Sequence, residues 1–244
     1  MTPFIQAVIR ANEEISKALE SFESTWFEKT KVGAGGDLSS KLDLIAEEIF
    51  VKHLSVFGKI ESEESGVIGE GEEQIIIDPI DGSSNALSHF PYYGSSIAKI
   101  NADGILDSAV VCNFANGDIF IKTPDIPLQQ GKLFEEKYQP VEPLEKSEIG
   151  LFEKAYANAP LVAALAKENL KFRAPGAIAL SLAYAHSVAF VLYVGAFRIY
   201  DFAAGLALCE GLEVVVDDDY VIVSKDKNIV DKIVGLIQSV EVEE

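Results

Sequence analysis

The feature that most constrains the fold of this chain is an apolar run that ends in two acids. Residues 75–85 read IIIDPIDGSSN, and the three consecutive isoleucines predict a buried β-strand. Asp78 and Asp81 follow at once, where an α/β sheet usually presents its functional site. Because two acids so close together repel each other, a divalent cation bound between them is the usual remedy. The run therefore predicts a strand with a metal site at its C-terminal end.

The residues around these acids are suited to complete such a site. Pro79 has no amide hydrogen and turns the chain out of the sheet, which frees the Ile80 carbonyl to serve as a further hard oxygen ligand. Gly82, Ser83 and Ser84 then offer backbone N–H groups for phosphate oxygens at the start of a helix. The alternative is an ordinary solvated turn, since Asp, Pro, Gly, Ser and Asn are all common in turns. Local composition leaves both interpretations open.

Composition excludes several classes of function. The 244 residues are 48% hydrophobic, which is typical of a globular protein with a large core, and they carry a formal net charge of −19. We expect no nucleic-acid partner, because nucleic acids bind surfaces rich in Lys and Arg. No segment has the pattern of a signal peptide or membrane helix, so we expect no membrane partner. Cys112 and Cys209 lie in apolar surroundings and favour a reducing, cytoplasmic location.

The order of predicted elements indicates a layered α/β protein. Runs rich in Ile, Val and Phe at 94–100, 107–113 and 117–122 are separated by turn signals and predict antiparallel strands. Towards the C-terminus, helical patterns alternate with strand patterns. Helices that alternate with strands in both halves predict stacked layers of helices and sheets.

A change in composition marks a candidate boundary. Four of the nine prolines fall within residues 124–143. We therefore predict an N-terminal α+β half at 1–135 and a C-terminal α/β half at 145–244, packed as one compact catalytic unit. The first half would carry most metal ligands and the phosphate-binding residues. The glycine-rich residues 33–37 predict a mobile loop.

Four motifs resemble those of the inositol monophosphatase and fructose-1,6-bisphosphatase superfamily of magnesium-dependent phosphatases. DPIDGSSN, at 78–85, matches its signature D-P-[IL]-D-G-[ST]-x-N. KLDLIAEEIF resembles the segment that bears the superfamily's acid, here Asp43, and SEES resembles its paired glutamates, here Glu63 and Glu64. YDFAAGLALCEGLEVVV resembles the C-terminal signature, with Asp201 as metal ligand. The resemblance spans nearly the whole chain and implies an α-β-α-β-α sandwich, with a mixed or antiparallel N-terminal sheet and a second, C-terminal sheet.

The resemblance also implies a metal-dependent phosphoric monoester hydrolase. Two or three Mg²⁺ ions, with Mn²⁺ as a substitute, would be held by five residues: Glu63, Asp78, Ile80 through its carbonyl, Asp81 and Asp201. A water would attack phosphorus in line, with no covalent enzyme intermediate. Ser83, near Asp43, would orient and deprotonate that water together with Glu63, and the amides of Gly82 and Ser83 would bind the phosphate. The loop at 33–37 corresponds to one that closes over the site, and a homodimer is expected by resemblance.

The contacts to the rest of the substrate are less constrained. RAPGAIALSLAY resembles the stretch that meets the non-phosphate part of the substrate, which makes Arg173, Gly176 and Ala177 candidate contacts. Ala177 stands where a Ser or Thr is common, and Val194 stands where many relatives place an acid or Arg. Arg198 is a candidate contact for a second phosphate, or else a surface charge.

We therefore predict a Mg²⁺-dependent phosphomonoesterase of the inositol-1-monophosphatase type that hydrolyses a small polyol or sugar phosphate. Two other substrate classes stay open: a fructose-1,6-bisphosphatase or dual-activity enzyme, and a 3′(2′),5′-bisphosphate nucleotidase. An alternative of another class is a non-catalytic protein on the same fold that binds sugar phosphates or a regulatory partner.

Overall fold

The computed structural model describes residues 1–21, 23–36 and 38–241. Seven α-helices lie within these ranges: α1 (Pro3–Glu20), α2 (Lys41–Leu54), α3 (Ser83–Leu87), α4 (Ala159–Lys167), α5 (Ile178–Ala183), α6 (Ile199–Ala207) and α7 (Lys227–Glu241). Helix α1 begins at a proline, and Thr2 caps it by accepting a hydrogen bond from Ile5 N at 3.3 Å. None of the described helices combines the length and the apolar character that crossing a bilayer requires.

The strands form two main sheets and one small pair. Strands β1 (Lys29–Val32) and β2 (Leu38–Ser40) pair with each other. The larger sheet contains eight strands: β3 (Lys59–Ser62), β4 (Gly66–Ile68), β5 (Gln74–Asp81), β6 (Gly94–Ile100), β7 (Leu106–Asn113), β8 (Asp118–Thr123), β9 (Ile126–Lys132) and β10 (Tyr138–Pro140). Their spatial order is β10-β9-β8-β7-β6-β5-β3-β4, and neighbours are antiparallel except for the parallel pair β3 and β5.

The smaller sheet is mixed. It contains five strands: β11 (Gly150–Glu153), β12 (Phe172–Arg173), β13 (Val191–Val194), β14 (Glu213–Val216) and β15 (Tyr220–Ser224). Their spatial order is β12-β11-β13-β15-β14, with β11 parallel to both of its neighbours and the remaining pairs antiparallel.

Helices α1 and α2 cover the outer face of the larger sheet. Val8 of α1 and Phe50 of α2 are completely buried in one cluster with Ile75 and Ile77 of β5. Ile76 packs in a different cluster, because successive side chains of a strand point to opposite faces. The isoleucine run is therefore buried on both faces, as expected of a strand with layers on either side.

Helices α5 and α6 fill the space between the two sheets. Leu180 of α5 packs with Ile76 of the larger sheet, whereas Leu182 of α5 and Phe202 of α6 pack with Val223 of the smaller sheet. Helices α4 and α7 then cover the outer face of the smaller sheet in a further buried cluster. The layers follow the predicted order α-β-α-β-α.

The structure has strands where the sequence pattern indicates none. The proline-rich residues 124–143 contain β9 and β10, so the larger sheet continues to Pro140. These strands lie at a sheet edge, where polar residues and proline are tolerated and the apolar alternation is lost. Strand β11 also lacks a clear pattern, because it has only four residues. The division into 1–135 and 145–244 stays a prediction, since α5 and α6 pack on both sheets.

Candidate active site

A cavity of about 290 Å³ opens where both main sheets meet helices α2, α3 and α6. Most of the site residues predicted from the sequence line it: Asp43, Glu63, Asp78, Ile80, Asp81, Gly82, Ser83, Ser84, Gly176, Arg198 and Asp201. Arg173 and Ala177 are not among the described lining residues. The fold thus brings residues that are far apart in the sequence, from Asp43 to Asp201, to one place.

Three acids in the cavity form a cluster suited to a cation. Glu63 follows β3, Asp78 belongs to β5, and Asp201 lies in the first turn of α6. Each offers one oxygen, and these three oxygens lie within 4.8 Å of one another. Carboxylate oxygens are the hard donors that Mg²⁺ and Mn²⁺ prefer, so the donor set fits a divalent cation.

The electrostatics of the cluster favour the binding of positive charge. Burial is the main cause that raises the pKa of Asp78 well above its ordinary value, and the charge of Glu63 raises it further. Burial also raises the pKa of Asp81, although a hydrogen bond from Leu180 N to Asp81 Oδ2 at 2.8 Å opposes that rise. Both acids would release protons more readily beside a bound cation, because a cation stabilises the ionised form.

An irregularity in β5 lets both aspartates reach the cavity. Residues three apart in a regular strand point to opposite faces of the sheet. On β5, however, Asp78 pairs with Ser96 and Asp81 pairs with Gly94, so three steps on β5 lie opposite two steps on β6. Such a bulge changes the direction of the side chains that follow it. The amide of Ile80 donates to Asp78 Oδ1 at 3.0 Å within this bulge.

Asp43, the predicted catalytic acid, also caps helix α2. Its Oδ2 accepts hydrogen bonds from Ser40 N at 2.8 Å and from Ser40 Oγ at 2.7 Å, while Asp43 N donates to Ser40 Oγ at 3.3 Å. This reciprocal capping box holds the carboxyl group at the wall of the cavity. A capping role and a catalytic role are therefore compatible at this residue.

The glycine-rich loop packs against the paired glutamates. Gly35 N donates to Glu63 O at 2.7 Å, and Ala34 N donates to Glu64 O at 3.2 Å. Gly33 and Gly35 line the cavity. Asp37, the last residue of the predicted loop, lies outside the described residues.

The predicted phosphate-binding residues lie at the start of α3. Gly82 has a left-handed φ of +83°, which favours glycine. Asn85 of α3 donates from its side-chain amide to Pro175 O at 2.7 Å. A Cβ on Gly82 would lie 3.0 Å from Ala177 Cβ. Ala177 is buried and packs against the phosphate-binding residues on the side away from the cavity. Arg173 is exposed and donates to the adjacent Phe172 O, so its position does not support a role as a substrate contact.

Glu153, the last residue of β11, is a buried acid of the cavity that the sequence analysis missed. Its carboxylate accepts hydrogen bonds from Gly176 N at 2.8 Å and from Ser181 Oγ at 2.5 Å. Burial raises the pKa of Glu153. An acid that ends an apolar run is the same signal that points to Asp78, but β11 is too short for its run to stand out.

Lys154 brings a positive charge to the cavity and was also missed. Its Nζ donates to Tyr193 Oη at 2.7 Å, and Tyr193 Oη in turn donates to Ala196 O at 2.7 Å. An ammonium group has three donors, so this contact leaves capacity for a ligand. Tyr156, which is strongly exposed, lines the same cavity.

Arg198 lies against two acids of the cluster. Its Nη1 is 2.8 Å from Glu63 Oε1, and its Nε is 2.8 Å from Asp201 Oδ2. The guanidinium group therefore contacts proposed metal ligands, which the sequence analysis did not foresee.

Comparison with known proteins agrees with this geometry. A sequence profile of the inositol monophosphatase family matches residues 1–218. The chain belongs to the inositol monophosphatase family. It is 30% identical to the fructose-1,6-bisphosphatase/inositol-1-monophosphatase of Methanothermobacter thermautotrophicus over 228 residues, which cover 83% of this chain and 79% of that protein. It is 31% identical to the bifunctional NADP phosphatase/NAD kinase of Methanocaldococcus jannaschii, over 77% of this chain and 40% of that protein.

The fold of this inositol monophosphatase family member has close structural neighbours. The IMPase of Thermotoga maritima matches with a TM-score of 0.79 at 21% identity, and the match covers 98% of each chain. The predicted superfamily and layered fold class are thus confirmed. At the level of the family, the predicted phosphoric monoester hydrolase is confirmed as well.

Proposed function

We propose that the protein is a Mg²⁺-dependent phosphomonoesterase that hydrolyses a small polyol or sugar phosphate, of the inositol-1-monophosphatase type. The observation that carries this proposal is the cluster of Glu63, Asp78 and Asp201, whose oxygens lie within 4.8 Å of one another. A hydrolase that moves a dianionic phosphoryl group needs concentrated positive charge, and clustered hard oxygens can recruit it.

The proposed ligands of two or three Mg²⁺ ions, or of Mn²⁺ as a substitute, are Glu63, Asp78, the Ile80 carbonyl, Asp81 and Asp201. All five residues line the cavity, and burial raises the pKa of both β5 aspartates, as expected of buried acids that would ionise when a cation binds. When bound, the cations would supply the positive charge that phosphoryl transfer to water requires.

The residues of the chain would position the water and the phosphate. Asp43, fixed by its capping box, and Ser83 would orient the attacking water, with Glu63 taking its proton. The amides of Gly82 and Ser83, with Ser84 beside them, would bind phosphoryl oxygens, because the left-handed glycine turns the chain into α3 where these residues line the cavity. These assignments rest on the resemblance and are supported by the shared cavity.

The size of the cavity favours a small substrate. Pockets for small molecules range from about 300 to 1,000 Å³. A cavity of about 290 Å³ lies just below that range and suits one sugar or polyol ring better than a bisphosphorylated nucleoside. Gly176, held by Glu153, stays a proposed contact to the ring.

Lys154 favours a second candidate function, that of a fructose-1,6-bisphosphatase or dual-activity enzyme. Lys154 lines the cavity, and its ammonium group keeps donors beyond its hydrogen bond to Tyr193. A second phosphate on the substrate would find its counter-charge there. Arg198, which the sequence offers as a candidate contact for a second phosphate or else as a surface charge, contacts Glu63 and Asp201.

We also propose a homodimer in a reducing, cytoplasmic setting, with no nucleic-acid or membrane partner. The dimer rests on the resemblance alone. The net charge of −19 supports the absence of nucleic acid. The free thiols of Cys112 and Cys209 are buried, and burial raises the pKa of Cys209 to about 12, so neither is suited to form a disulfide at the surface.

The test is phosphate release from inositol 1-phosphate, fructose 1,6-bisphosphate and adenosine 3′,5′-bisphosphate, with and without Mg²⁺. We expect Mg²⁺-dependent release from the first two and little from the third. Lys154→Met should raise KM for fructose 1,6-bisphosphate about tenfold while changing KM for inositol 1-phosphate much less. Lys167→Met, which removes an exposed lysine at the end of α4, serves as the matched control.

The same three phosphate esters distinguish a phosphatase from the non-catalytic alternative. A protein that only binds sugar phosphates would bind the panel by calorimetry yet release no phosphate at any Mg²⁺ concentration. Equal loss of both activities in Lys154→Met would instead assign Lys154 to general site structure and remove the support for the bisphosphatase.

A further inference from the structure

A guanidinium group already binds two of the three clustered acids. Arg198 Nη1 contacts Glu63 Oε1 at 2.8 Å, while Arg198 Nε and Nη2 contact the two oxygens of Asp201 at 2.8 and 3.3 Å. Only 28% of the Arg198 side chain, 13% of the Glu63 side chain and 5% of the Asp201 side chain is exposed. Such partly buried contacts are screened by salt much less than surface ion pairs.

Arg198 also reaches the glycine loop. Its Nη1 lies 3.4 Å from Gly35 O, and Gly35 N donates to Glu63 O at 2.7 Å. The loop packs so closely on Glu63 that a Cβ on Gly35 would lie 2.6 Å from Glu63 Cγ. The arginine, the acid and the loop therefore form one connected group.

We propose that Arg198 is a built-in counter-cation that competes with divalent cations for Glu63 and Asp201 and so sets the metal affinity of the site. This inference rests on the proposed metal site. It also links metal binding to the loop at 33–36, because a change at Arg198 alters the contacts of Gly35.

Arg198 opposes metal binding whether or not its side chain moves. If the guanidinium stays in place, its positive charge repels a divalent cation that shares the same carboxylates. If it leaves, the bonds to Glu63 and Asp201 are lost, and charge-assisted hydrogen bonds are among the stronger ones in proteins. Metal binding is weakened in both cases relative to a neutral residue at position 198.

The backbone makes Arg198 a suitable position for substitution. Arg198 occupies the N-cap of α6, where its side chain forms no cap bond to the helix backbone, and its main-chain carbonyl accepts a hydrogen bond from Asp201 N at 3.2 Å. Replacement of the side chain therefore leaves the start of the helix intact, and its main effect falls on the acids.

The experiment compares wild type, Arg198→Ala and Arg10→Ala by isothermal titration calorimetry with Mg²⁺ and by electron paramagnetic resonance with Mn²⁺. Arg10 is an exposed arginine of α1, and its removal subtracts the same formal charge. We expect Arg198→Ala to bind both cations about tenfold more tightly, or roughly 1.4 kcal/mol. Arg10→Ala should bind them as wild type does.

Thermal unfolding provides a second readout that does not depend on activity. Without metal, Arg198→Ala should melt at least about 2 to 4 °C below wild type, because two acids lose their counter-charge. Saturating Mg²⁺ should narrow that gap. If Arg198→Ala does not fold without metal, Arg198→Gln takes its place and is also expected to bind metal more tightly than wild type.

Two results would overturn the inference, and they can be told apart. Unchanged or weaker metal affinity in the Arg198 variants, beside a wild type that binds metal, would refute the counter-cation role and leave the proposed phosphatase intact. Absence of metal binding in wild type would refute the metal-dependent function together with the inference.

Discussion

Gly82→Ala is expected to disturb both the stability of the protein and its binding of phosphate. The left-handed φ of +83° costs a residue with a side chain about 1 to 2 kcal/mol. The new Cβ would also lie 3.0 Å from Ala177 Cβ, 3.1 Å from Tyr92 O and 3.2 Å from Gly176 O. Two of these neighbours are backbone atoms, which yield little, and overpacking of this kind costs about 1 to 3 kcal/mol. The total loss of unfolding free energy is therefore about 2 to 5 kcal/mol.

Gly104→Ala is the matched control for the steric part of this loss. Gly104 has a similar φ of +78°, but nothing lies within 4 Å of the position of its Cβ. Its variant should lose only about 1 to 2 kcal/mol. The difference between the two variants, about 1 to 3 kcal/mol, then measures the crowding of residue 82 by Tyr92, Gly176 and Ala177.

Urea denaturation of both variants gives these free energies, and phosphate release at varied substrate concentration gives KM. We expect KM to rise several-fold or more in Gly82→Ala and to stay at the wild-type value in Gly104→Ala. Equal destabilisation of the two variants would show that residue 82 is not crowded. An unchanged KM in Gly82→Ala would show that residue 82 does not contact the phosphate.

Three further predictions concern the acids of the cavity. Asp78→Asn should abolish turnover and the rise in Tm caused by Mg²⁺, yet leave the metal-free protein at least as stable as wild type, since burial disfavours the charge of Asp78. If differential scanning fluorimetry shows the same rise in Tm with Mg²⁺ for Asp78→Asn as for wild type, the prediction is contradicted. The folded-state pKa of Asp78 and of Asp81 lies above the unfolded value of about 3.9, so the folded protein binds more protons than the unfolded protein at pH values between the two pKa values. The contribution of these two acids to metal-free stability therefore falls as the pH rises from the unfolded to the folded pKa. The gain in Tm from Mg²⁺ should therefore grow from about pH 5 to pH 8, and a gain that shrinks with pH would refute the reasoning. Glu153→Gln should lower the free energy of unfolding in urea by about 1 to 3 kcal/mol, because Gly176 N and Ser181 Oγ lose a charged acceptor, and it should raise KM more than it changes metal affinity. Ser181→Ala should have a smaller effect on both the free energy of unfolding and KM. An effect of Glu153→Gln on metal affinity alone would contradict the proposed role of Glu153 in holding Gly176 and Ser181.

The family and the principal acids could be predicted from the sequence because each depends on a local signal. The isoleucine run, Asp78, Asp81 and Gly82 lie within eight consecutive residues, so their spacing predicts a strand that ends in two acids, and the resemblance of the motif then favours a metal and phosphate site over an ordinary turn. The left-handed conformation of Gly82 is likewise the reason that a glycine is needed there. Helix α1 begins at Pro3, which fits both its hydrophobic period and its cap.

Contacts between distant residues required the tertiary structure. The bulge that turns Asp81 into the cavity arises from the register of β5 against β6, and no residue of the run by itself specifies it. Glu153 lies in a four-residue strand whose burial depends on its neighbours β12 and β13. Arg198 is three residues from Asp201 in the chain, yet its contact with Glu63 joins residues 135 positions apart. Local propensities and motifs act over a few residues, whereas the pairing of charges across the cavity depends on how the layers pack, and that was decided by the fold alone.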